Sequence, residues 1–176
     1  MWESERFTPA DNKKYMIPNR AIMYTEKVLS DYGKKRPSNE GLVYWAGRKD
    51  VDVIRVELVI APRTDSAARR VMTSPESNMK MIQVLDKYDM IHLGQVHSHP
   101  GSWVDHSEGD DEYAAFKING LLSLVVPSYC KDGMMPIETC GVHRFEQDHF
   151  IRFTDEYVSD HFSIEDANCL FEDLRK

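Results

Sequence analysis

An α/β fold, with a mixed sheet covered by helices in one domain, is predicted by three features of the sequence. Apolar residues recur at helical spacing in some segments and form short continuous or alternating runs in others. The two kinds of segment interleave along the chain, in the order helix, strands, helix, strand, helix, strands, helix, instead of separating into blocks. The length of 176 residues, 41% of them hydrophobic, suits a single domain spanning 1–176 with a real core.

Residues 1–18 mix charge with Trp2, Phe7, Tyr15, Met16 and Ile17 without a clean period and read as an irregular or strand-like lead-in. Asn19 after Pro18 is a candidate N-cap. Ile22, Val28, Leu29 and Tyr32 then recur at helical spacing before Gly33, which predicts a helix over about 20–32. The polar, basic stretch GKKRPSNE reads as a solvated loop that delivers the chain to Glu40. Positions 41–47 form a short apolar run, and 51–62 alternate at Ile54, Val56, Leu58 and Ile60. Together they read as neighbouring strands linked through 48–50.

RTDSAARRVMTS reads as a loop whose Arg63, Arg69 and Arg70 are solvated or face an acidic partner. Ser74 followed by Pro75 is a strong helix start, and Met81, Ile82, Leu85 and Tyr88 supply the apolar face of a helix over about 75–88. A strand over 91–99 follows, then a helix over 108–118 ended by Asn119 and Gly120, then a buried strand in LLSLVVP. CGVHRF and HFIRF resemble a hairpin turning at 146–148. Ser163 is read as the cap of a last helix with Ala167, Leu170, Phe171 and Leu174 facing inward.

A net charge of -7, with no basic stripe interleaved with aromatics, argues against a nucleic-acid partner. Three cysteines, Cys130, Cys140 and Cys169, without CxxC spacing suggest neither a disulfide framework nor a thiolate zinc site, and fit reduced, cytoplasmic thiols. The N-terminal stretch lacks the apolar core of a signal peptide, and no run approaches the roughly 18 apolar residues of a membrane span. A soluble protein without membrane contact is expected.

The informative stretch is QVHSHPGSWVDHSEGDD. In a strand, successive side chains point to opposite faces, so His97 and His99 project from the same face and can grip one ion. Seven residues separate His99 from Ser107, and two separate Ser107 from Asp110. Taken singly, the histidine pair reads as two hydrogen-bonded side chains, and Ser107-x-x-Asp110 as a variant capping box. A helix starting here also presents Asp110 beside the strand end, so both readings can hold together.

His-x-His, seven residues, Ser-x-x-Asp resembles the signature of the JAMM (Jab1/MPN/Mov34) metalloproteases, matched at His97, His99, Ser107 and Asp110. That family also has a glutamate at the start of an upstream apolar strand, and Glu40 in NEGLVYWAG looks like it. The resemblance covers about 20–145 and implies an alpha/beta/alpha sandwich related to cytidine deaminases. It implies one zinc per chain, held by His97, His99 and Asp110 with the fourth position open, Glu40 as general base and Ser107 as oxyanion donor. Trp103, between the ligands, either touches substrate or packs locally. His92, His106, His143, His149 and His161 are not at ligand positions.

Relatives in that family cleave the isopeptide or peptide bond after the C-terminal glycine of ubiquitin or a ubiquitin-like protein. The short form and the HSHPG, VDHS and DD pattern look most like prokaryotic members encoded beside ubiquitin-activating and conjugating enzyme homologues in anti-phage operons. The expected function is therefore deconjugation or maturation of a ubiquitin-like protein. The alternatives are processing of a sulfur-carrier protein, which would use an identical site, and a catalytically dead MPN scaffold, which the five intact residues argue against.

Overall fold

A computed structural model of the chain describes residues 5–112 and 114–176, so Trp2 lies outside the described residues. In chain order the elements are β1 (Arg6–Phe7), β2 (Lys14–Pro18), α1 (Asn19–Gly33), β3 (Leu42–Lys49), β4 (Val53–Ala61), β5 (Asp65–Ala67), β6 (Arg70–Met72), α2 (Pro75–Tyr88) and β7 (Ile91–Ser98). Then come α3 (Glu108–Glu112), β8 (Leu122–Val126), β9 (Gly141–Glu146), β10 (His149–Phe153), α4 (Asp155–His161), β11 (Phe162–Glu165) and β12 (Leu170–Asp173), with short 3-10 turns at Ser128–Cys130 and Ile137–Thr139.

The main sheet runs β1-β10-β9-β8-β7-β3-β4-β2-β11, with β12 also paired to β4. It is mixed, as expected: β3 is antiparallel to both β4 and β7, whereas β7 and β8 are parallel. Helices cover both faces. Val43 and Trp45 share a cluster with Ala21, Ile22, Val28 and Leu29 of α1. Leu42, Tyr44 and Ala46 of the same strand share one with Met81 and Val84 of α2. Each fully buried aliphatic side chain of this kind contributes roughly 1.5–3 kcal/mol of transfer free energy. The Trp45 indole donates to Thr25 Oγ1 at 2.9 Å, so the largest core side chain also ties β3 to α1.

The helices over 20–32 and 75–88 are present as α1 and α2. Ser74 Oγ accepts from the Ser77 amide at 3.1 Å, capping α2 as its sequence suggests. At α1 the cap position belongs to Pro18, and Asn19 is the first helical residue.

Four further readings are corrected. The alternation of 51–62 does not keep one face: a bulge opposite Ala46 and Gly47 inserts Glu57, so Ile54 and Val56 face α1 while Leu58 and Ile60 face α2. RTDSAARRVMTS is not a plain loop, because β5 and β6 form an antiparallel ribbon within it. The helix after the histidine strand is cut to Glu108–Glu112, a segment with four acids that buries none of its residues and has no apolar face to extend on. The last helix lies earlier: Thr154 Oγ1 accepts from the Tyr157 amide and starts α4, whereas Ser163 and Leu170 sit in β11 and β12. There, parallel pairing to β2 and β4, with Phe171 stacked on Tyr24 at 4.7 Å, outweighs helical spacing.

Gly141 opens β9 beneath the loop that joins the histidines to α3. A Cβ there would lie 1.8 Å from the Val104 carbonyl oxygen, a backbone atom that cannot swing away. Gly141→Ala is therefore expected to cost at least ~1–3 kcal/mol and to lower the melting temperature by roughly 2–4 °C for each of those kcal/mol. An unchanged melting curve would show that this loop is not packed against β9.

Candidate metal centre

The centre is built on the end of β7, whose residues from Leu93 to Ser98 are buried. His97 and His99 emerge on the same side, 2% and 5% exposed, with their Nε2 atoms 3.2 Å apart. Asp110 comes from α3, with Oδ2 3.0 Å from His99 Nε2 and Oδ1 3.4 Å from His97 Nε2. One ligand atom from each of the three lies within 4.8 Å of the others, the only such group found among the described residues. Two imidazoles and one carboxylate on a buried wall fit a divalent cation and leave a position for another ligand. Such a cation would be held by His97, His99 and Asp110.

Neighbours fix the ligand orientations. His99 Nδ1 lies 3.0 Å from the Trp103 carbonyl, to which it donates, which leaves Nε2 free to ligate. The Trp103 ring stacks on His99 with centroids 5.6 Å apart, so Trp103 packs against a ligand. The reading of Ser107 and Asp110 as a capping box also holds. The Asp110 amide donates to Ser107 Oγ at 3.0 Å, and the Ser107 amide donates to Asp110 Oδ2 at 2.8 Å. Because Ser107 Oγ is the acceptor, its own O–H remains available to a ligand in the cleft.

Glu40 reaches the centre through strand direction. β3 runs antiparallel to β7 with Leu42 opposite His97, so the start of β3 lies beside the end of β7. The Gly41 amide donates to Ser98 Oγ at 2.9 Å, and the Glu40 amide donates to the Ala67 carbonyl at 2.9 Å at the end of β5. Ser98, the residue between the histidines, thus holds the segment bearing Glu40. This role was not read from the sequence, although strand alternation does place Ser98 opposite the ligand face. A cleft of about 210 Å³ opens between the ribbon and α3, lined by Tyr44, Arg70, Met72, His97, Ser107 and Asp110 among others.

The two carboxyl groups are driven apart. Burial raises Glu40 to about 7, opposed by His99 and reinforced by Asp110. Burial also pushes Asp110 up, but the His97 charge and hydrogen bonds from both histidines overcome it and hold Asp110 well below the usual carboxylate range. Burial depresses His97, whereas in His99 the Asp110 partnership outweighs burial and raises the imidazole. The histidines set aside as ligands lie elsewhere in the fold: His92 is half-buried and desolvation pushes it down to about 4, His143 is buried in β9, His161 stacks on Tyr157, and His149 is exposed. His106 is packed behind His97, with ring centroids 5.7 Å apart.

No profile of a known protein family matches the chain. The chain is 30% identical over 131 residues to "Probable metalloprotease y4jG" of Sinorhizobium fredii, an alignment covering 69% of this chain and 76% of the relative. The chain belongs to that metalloprotease family. In fold, it is similar to the solution structure of protein DSY2949 from Desulfitobacterium hafniense, with a TM-score of 0.64 over 88% of this chain and 94% of that one. At 18% identity that likeness speaks to the α/β fold alone. Among the described residues no helix is long and apolar enough to cross a membrane, and all three cysteines are free.

The raised His99 pKa sets a sign for metal binding. A proton held at higher pH competes longer for Nε2, so cation affinity should weaken as pH falls through the His99 pKa. Isothermal titration with zinc at several values between about pH 5 and 8 would show this, and an affinity independent of pH would contradict the assignment of His99.

Proposed function

We propose that this member of the family is a zinc-dependent peptidase of the JAMM type that hydrolyses the bond after the C-terminal glycine of a ubiquitin-like protein. The observation that carries the reading is the approach of Glu40, from the start of β3, to His99 and Asp110 of the His97, His99 and Asp110 group, beside a cleft lined by His97, Ser107 and Asp110. These are the residues, and the spacing, of the JAMM resemblance. Zinc, when bound, supplies Lewis acidity: it makes a water acidic enough to ionise near pH 7 and polarises a carbonyl.

The chain's own groups do the rest. The Glu40 carboxylate accepts a proton from the attacking water and returns it to the departing amine, for which a carboxyl raised to about 7 by burial is suited. The Ser107 hydroxyl donates to the developing oxyanion, a contribution of ~2–4 kcal/mol for a donor of this type. The cleft, smaller than the roughly 300–1,000 Å³ of pockets for drug-sized molecules, suits a slender extended tail better than a compact ligand. Trp103 stacks on His99, and its half-buried ring is a candidate contact for that tail. The setting we propose is the bacterial cytoplasm, in an anti-phage conjugation system with activating and conjugating enzyme homologues, on the strength of the HSHPG, VDHS and DD pattern.

Incubating the chain with ubiquitin-like fusions, with and without the terminal glycines, tests the substrate. Cleavage after the glycine is expected, with Glu40→Gln abolishing turnover while one zinc per chain is retained. Loss of zinc in that variant would make Glu40 structural, and no cleavage of any glycine-terminated fusion would leave a scaffold.

The pH profile is a further test. Glu40 must be unprotonated to accept a proton, so kcat/KM should fall about tenfold per pH unit below its pKa. That pKa is about 7 in the chain alone and lower when a cation faces it. An acid limb centred above pH 7 would contradict Glu40 as the base.

A further inference from the structure

The weakest-looking part of the centre is the helix that carries Asp110. Four of the five residues of α3 are acidic, none is buried, and a helix this short has no stability of its own. The capping box between Ser107 and Asp110 is internal to the segment: it fixes the shape of the turn but not its place on the sheet. Something outside the helix must dock it against β7.

His106 provides that link. Its side chain is 4% exposed, with Nδ1 2.9 Å from Asp111 Oδ1 and Nε2 2.7 Å from Ser123 Oγ. Ser123 Oγ in turn accepts from Gln95 Nε2 at 3.1 Å, and Gln95 lies opposite Ser123 in the parallel β7–β8 register. For a neutral imidazole, a single set of directions satisfies every atom. The Asp111 carboxylate can only accept, so Nδ1 carries the hydrogen and Nε2 accepts from the Ser123 hydroxyl, whose oxygen accepts from Gln95. The network therefore hangs α3, through Asp111 and His106, on the strand that also carries His97 two residues beyond Gln95.

The order Asp111, His106, Ser123 resembles a hydrolase triad, but Ser123 is 0% exposed within the sheet, so its oxygen cannot meet a substrate. We infer that His106, tied to Ser123 and Asp111, is a positioning residue that holds Asp110 at ligand distance from His97 and His99. The inference rests on the metal site of the proposed function, and no part in the chemistry is assigned to the imidazole itself.

The test is zinc affinity of the full chain, measured by competition with a chelator and accompanied by thermal melting. The variants are Asp111→Ala, Asp111→Asn and Ser123→Ala. The Asp111 side chain is 46% exposed, so its replacement leaves the core intact. Both alanine variants are expected to bind zinc about 10–100-fold more weakly, the range for removing a group that orients a ligand. Asp111→Asn, whose amide oxygen still accepts from Nδ1–H, should stay close to the parent.

Unchanged affinity in the alanine variants would overturn the inference and leave the metal site standing. Asp111→Asn as weak as Asp111→Ala would also overturn it, because lost charge, not the hydrogen bond to His106, would then be responsible. A parent chain that binds no zinc would overturn the metal site and this inference together.

Discussion

His97 and His99 point the same way because a single residue separates them in a strand, and that shared direction constrains every neighbour. Their Nε2 atoms stand 3.2 Å apart on a wall almost closed to solvent, where polar atoms without partners are costly. The surroundings answer that cost. Asp110 faces both nitrogens, the Trp103 carbonyl takes the other hydrogen of His99, and Ser98 turns away to hold the next strand. Strand direction does the remaining work. Because β3 is antiparallel to β7, its beginning meets the end of the histidine strand, and Glu40 arrives at the ligands from far upstream in sequence.

The same burial has opposite outcomes for the two carboxyl groups. Asp110 is surrounded by imidazoles that favour its charge, whereas Glu40 meets burial with only distant help from His99 and a penalty from Asp110. One carboxyl is therefore a permanent anion suited to hold a cation, and the other a group poised near neutrality that can take up and release a proton. Two neighbouring acids thus acquire opposite proton affinities from their environments.

The histidine pair and the capping turn were legible in the sequence because each depends on local geometry, strand alternation in one case and a serine three residues before an aspartate in the other. The helices α1 and α2 were legible for the same reason. Glu40, by contrast, was singled out by the family resemblance, since a lone glutamate before a strand reads as solvated. What escaped depends on partners distant in sequence. The inserted Glu57 flips the faces of β4 only because Gly47 lets the Arg55 carbonyl approach. Leu170 and Phe171 keep helical spacing yet pair with β4, over a hundred residues earlier. The links of His106 to Ser123 and of Ser98 to Gly41 cross between elements whose adjacency no local pattern announces.

The central claim is that three side chains form one metal site, and its most direct test is metal content per chain for the purified protein, His99→Ala and Asp110→Ala. The account predicts one zinc in the parent, lost or strongly weakened in both variants while the fold persists. A parent without metal after zinc is supplied at neutral pH, or variants that keep a full equivalent, would contradict it.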